Sequence, residues 1–107
     1  MGKLVRDKID DKIRNNGEKP VTRILSLDEY KIELLKKIDE EFLELKEAIC
    51  LNDKEKICEE SADLFEVVKA YNELVNNNFD DIIKTMDDKR ESRGGFKRRL
   101  FLERVEK

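Results

Sequence analysis

The chain has 107 residues, enough for one domain with one modest core. Charged residues make up 46% of it and the formal net charge is −3, which excludes a nucleic-acid-binding polycation. No apolar run of about 18 residues occurs, so no membrane span is expected.

The N-terminal Met-Gly-Lys-Leu-Val-Arg-Asp lacks the apolar centre of a signal peptide, and cytoplasm is the expected location. Val5, Ile9 and Ile13, spaced by four, predict a short helix over 5–15, ended by Asn15-Asn16-Gly17. Residues 19–27 carry Pro20, Val21, Ile24 and Leu25 and read as extended. Ser26 to Glu29 then supplies cap residues for a long helix reaching about Cys50. Its apolar stripe is Leu34, Ile38, Phe42, Leu45 and Ile49. Leu51-Asn52-Asp53 is a tight connection, so a second long helix over 54–75 forms an antiparallel hairpin with the first. Asn76-Asn77-Asn78 stops that helix, a third runs over 79–92, and Arg93-Gly94-Gly95 breaks it. The tail alternates through Leu100, Leu102 and Val105. The expected fold is therefore all-α, a bundle based on the hairpin and forming a single domain over 1–107. Residues 20–25 and 98–105 are candidates for a short two-stranded β ribbon beside it. Cys50 and Cys58 read as reduced thiols, since no His and no third Cys completes a zinc site.

Two acidic motifs interrupt the apolar pattern of the hairpin: Glu41-x-x-Glu44 and Glu60-x-x-Asp63. Residues three apart share a helix face. Glu41 falls in or beside the first stripe, and Glu60 falls in the stripe of Leu64, Val67, Val68, Tyr71 and Leu74. Among 26 acidic residues such spacing alone means little, because most acidic pairs are solvated or bridge to lysines. Carboxylates on an apolar face are another matter, since buried charge must be neutralised. Oxygen donors without histidine suit a hard divalent cation, Mg2+ first, with Mn2+ also admissible. A di-iron bundle would need Glu-x-x-His motifs, and a calcium EF-hand would need its glycine-containing loop.

Lys37-x-x-Glu40-Glu41-x-x-Glu44 followed by Glu59-Glu60-x-x-Asp63 resembles the signature of the all-α nucleoside triphosphate pyrophosphohydrolases. That superfamily includes MazG and the phosphoribosyl-ATP pyrophosphohydrolases. Lys3-Leu4-Val5-Arg6-Asp7-Lys8-Ile9 and Lys89-x-x-x-Arg93-Gly94-Gly95-Phe96 are similar to those of a MazG-like branch of small single-domain house-cleaning enzymes. Asp10 stands where that branch commonly has Pro. The resemblance implies a helical homodimer or homotetramer that cleaves a nucleotide between its α- and β-phosphates with Mg2+. It implies Glu41, Glu44, Glu60 and Asp63 as metal ligands and Glu40 as the residue orienting or deprotonating water. Phosphate contacts fall to Lys3, Arg6, Lys8, Lys89, Arg93 and Arg98, with Arg6 and Arg93 leading because a guanidinium grips phosphate with two donors. Two alternatives stand beside this reading. One is a non-enzymatic helical interaction module whose carboxylates pair with Lys37 and Lys56. The other is a phosphoribosyl-ATP pyrophosphohydrolase. No motif marks base specificity.

Overall fold

A computed structural model describes residues 2–107. Four helices follow in chain order: α1 (Ile9–Asn15), α2 (Leu27–Cys50), α3 (Lys54–Leu74) and α4 (Phe79–Arg93). Each long helix begins where a side chain can satisfy its free amides. Ser26 Oγ accepts from the Glu29 amide while the Glu29 carboxylate accepts from the Ser26 amide, and Asn78 and Asp81 repeat this reciprocal cap on α4. Asp53 accepts from the Lys56 amide at the start of α3.

The ends are equally local. After α1 the Gly17 and Glu18 amides return to the Arg14 and Ile13 carbonyls, a left-handed stop in which Gly17 takes φ 82°. Asn52 (φ 55°) and Asn76 (φ 66°) end α2 and α3 with the same pair of bonds, which is why the asparagine clusters punctuate the sequence. Gly94 (φ 83°) closes α4.

The hairpin seam between α2 and α3 holds the core, and the core is small. Only Leu34 (3% exposed) and Ala48 (1%) are fully buried among the described residues. Phe42 and Ile49, expected in the α2 stripe, instead stand about half exposed at the edge of the seam, with Lys46 Nζ 4.5 Å from the Phe42 ring centroid. The radius of gyration is 18.4 Å, against about 13 Å for a compact chain of this length.

The β ribbon is not formed: no strand occurs among the described residues. Each segment is tied elsewhere. Arg23 binds Glu29 through two hydrogen bonds (3.2 and 2.7 Å), fixing 20–25 against the start of α2. That contact, with the Ser26 amide, pulls the Glu29 carboxyl down to about 2. The tail is turned away by Gly94 and by a turn closed from the Arg99 amide to the Phe96 carbonyl (3.1 Å). Helix α1 begins later than the spacing predicts, at Ile9, because Leu4 to Asp7 lie as an irregular segment along the hairpin. No helix is long and apolar enough to cross a membrane. Cys50 and Cys58 are free and exposed.

Candidate functional site

The acidic motifs meet in the seam. The tight Leu51–Asp53 connection sets α2 and α3 antiparallel, so Glu41 and Glu44 on one helix face Glu60 and Asp63 on the other. One carboxylate oxygen each from Glu41, Glu60 and Asp63 lies within 4.8 Å of the other two. All three side chains are half-buried, and Glu44 stands beside them with more exposure.

The electrostatics are strained. Burial, followed by the Glu44 and Asp63 charges, pushes the Glu41 carboxyl above its ordinary value, and Lys37 opposes this only weakly. Glu60 is raised for the same leading reason, then by its contact with Glu44, against a weak opposing pull from Lys56. Glu41 Oε2 and Glu60 Oε2 are enclosed and have no hydrogen-bond partner. Packing therefore holds like charges together with two acceptor atoms unused.

Two basic residues reach the cluster. Arg6 Nη2 lies 2.7 Å from Asp63 Oδ1, and this is the one ion pair among the described residues that joins distant parts of the chain. Lys37 Nζ lies 3.9 Å from Glu41 but 3.3 Å from Glu40, so it serves the exposed Glu40 first. Glu40 thus stands at the rim, outside the group of three. Lys56, which an ion-paired module would use, forms no ion pair with Glu60 within 4.0 Å among the described residues.

A cleft of about 440 Å3 opens beside the carboxylates. Arg6 and Lys37 line it together with Tyr30, Leu34 and Val67, giving an acidic end and an apolar wall. Lys3, Lys8, Lys89, Arg93 and Arg98 are exposed and do not line it. Leu34 and Val67 were expected in the two apolar stripes, but their joining with Tyr30 into one wall was not. Its signal was faint: Tyr30, Leu34 and Lys37 recur at helical spacing on one side of α2, and the N-terminal Leu4-Val5-Arg6 lines the same cleft.

An all-helical chain with a carboxylate cluster across a hairpin is the class defined here. A family model described as phosphoribosyl-ATP pyrophosphohydrolase matches residues 3–90, and the chain belongs to that family, within the MazG-like superfamily. That family's description names a pyrophosphohydrolase activity. An uncharacterized protein of Mycolicibacterium smegmatis (strain ATCC 700084 / mc(2)155) is 52% identical over 48 residues, covering 45% of this chain. The chain spans about half (49%) the length of that curated relative over the match. No solved structure matches.

Proposed function

We propose that the chain hydrolyses a nucleoside triphosphate, noncanonical bases included, between its α- and β-phosphates with Mg2+, releasing a monophosphate and pyrophosphate. The observation that carries this reading is the pair of enclosed, partnerless oxygens, Glu41 Oε2 and Glu60 Oε2, inside a cluster of carboxylates. Hard oxygen donors with unused lone pairs fit Mg2+, or Mn2+, and fit no softer metal as well. Glu41, Glu60 and Asp63 would hold the ion, with Glu44 completing the set. Once held there, such an ion would supply positive charge for the leaving pyrophosphate and Lewis acidity toward water.

The chain's own groups do the rest. Arg6 leaves Asp63 and grips a phosphate, its planar fork matching two oxygens. Glu40, steadied by Lys37, takes the proton of the attacking water. The water oxygen bonds to the α-phosphorus as the bond to the bridging oxygen breaks, and pyrophosphate departs with the electron pair. Tyr30, Leu34 and Val67 offer the base or sugar an apolar wall. The active species in this reading is a homodimer or homotetramer, since α2 and the tail expose large apolar side chains.

Phosphoribosyl-ATP is the second reading for the substrate, because that reaction gives the matched family its description. Both substrates present an α–β phosphoanhydride to the same groups. A panel of nucleoside triphosphates and phosphoribosyl-ATP, incubated with Mg2+ and scored for pyrophosphate against orthophosphate, tests the proposal. Pyrophosphate from one or more members is expected, and orthophosphate as the first product would overturn the cleavage position. An interaction module that uses its carboxylates only for lysines would release neither, and Mg2+ would leave its melting temperature unchanged.

A further inference from the structure

The apolar side chains of the tail after α4 are largely uncovered. Phe96 is 97% exposed, Leu100 73%, Phe101 87%, Leu102 77% and Val105 80%. Yet the segment has a defined course: Gly94 turns it out of the helix and Arg99 takes a left-handed conformation (φ 58°) in the turn that begins at Phe96. An apolar segment projected into solvent is at odds with its own composition.

Charge says what it meets. Residues 94–107 carry five basic and two acidic side chains, a net +3, whereas residues 27–74 carry seven basic and fifteen acidic, a net −8. Lys97, Arg98 and Arg99 form no ion pair among the described residues. The acidic hairpin also leaves apolar side chains of α2 uncovered by α3. Along α2, Ile32, Leu35, Phe42, Leu43 and Ile49 are each 48–56% exposed, from the edge of the seam round to the far side of the helix. Extended, the fourteen residues from Gly94 to Lys107 span about 45 Å, and α2 is about 36 Å long.

We propose that Phe96–Val105 is an arm that docks on the uncovered apolar side chains of α2 in a second copy of this chain. The apolar side chains of the arm seat against those from Ile32 to Ile49, and Lys97, Arg98 and Arg99 meet the acidic flanks of that hairpin. An anionic lipid surface is the poorer occupant, because a hairpin of net −8 is repelled from the charge that attracts the arm. Area is sufficient. Two phenylalanines bring about 300–500 Å2 per arm, so reciprocal arms with their receiving surfaces clear the roughly 1,200 Å2 of a specific interface.

The chain has no tryptophan, so Phe101→Trp makes the arm its own reporter. Emission is read against protein concentration, with mass measured by light scattering on the same samples. The expected result is blue-shifted emission that accompanies a dimer or larger mass, reverting to solvent-exposed emission on dilution to monomer. Reversing Lys97, Arg98 and Arg99 to Glu is expected to weaken the association at least about tenfold, while helical circular dichroism stays unchanged. Solvent-exposed emission at every concentration overturns the proposal. So does a blue shift at monomer mass, a shift seen only with phosphatidylserine vesicles, or association untouched by the charge reversal.

Discussion

Replacing Glu41 with Gln tests the strained cluster through a change of sign. Glu41 is 13% exposed, its Oε2 has no partner, and Lys37 stands 3.9 Å from the other oxygen. Glutamine keeps the shape, removes a charge from beside Glu44 and Asp63, and adds an amide that can donate to them. An unsatisfied buried polar atom costs about 1–3 kcal/mol. Relieving part of that gives about 1 kcal/mol, or about 4–8 °C in melting temperature for a chain of this size. With saturating Mg2+ the order reverses. On the proposed Mg2+ site the wild-type chain is expected to gain about 2.7 kcal/mol at a hundredfold excess over Kd, and the variant, without the Glu41 carboxylate, far less. Thermal unfolding at fixed protomer concentration, with EDTA and then with a Mg2+ series, measures both halves. Glu41→Gln melting below wild type in EDTA would mean that Lys37 already satisfies the carboxylate, and the strain argument would fall. A Mg2+ gain equal in both proteins would remove Glu41 from the ligand set.

Arg6→Ala should bind Mg2+ roughly two- to fivefold more tightly, because the exposed pair with Asp63 no longer competes, while nucleotide affinity falls. Calorimetry reads both, and weaker Mg2+ binding in the variant would refute the competition. Arg23→Ala should let the Glu29 carboxyl climb from about 2 toward the ordinary carboxylate range, followed by NMR titration. Because the folded value is depressed, the pair's contribution is present above the unfolded value near 4.5 and is lost as pH falls toward 2. The Arg23→Ala chain should therefore show a shallower loss of stability across that acid window, and an unchanged acid profile would assign Glu29 to the Ser26 cap alone.

The helices were legible because their signals are local. Ser26 with Glu29, Asn78 with Asp81, and the left-handed stops at Gly17, Asn52 and Asn76 act within a few residues of themselves. The meeting of Glu41, Glu60 and Asp63 was also legible, since a short connection leaves two long helices little choice of partner. What failed was the long-range placement of segments and helix faces. The alternation in 98–105 suits a strand, yet no partner edge stands near it. Val5 fits a helical spacing, yet Arg6 is held by Asp63, 57 positions away. Phe42 and Ile49 fit the α2 stripe numerically, but apolar side chains run well round the helix and spacing alone does not say which of them α3 covers.

The core's smallness gives the carboxylates an unusual weight. Leu34 and Ala48 are the fully buried residues described, and the positions between them on the same side of α2 include Glu41. A heat-resistance screen run without cation would therefore reward exchanging Glu41, and Glu60 opposite, for leucine or glutamine. The fittest survivors of such a screen would be good scaffolds and poor metal binders. Under the proposed function, laboratory evolution of this chain would need the cation present from the first round.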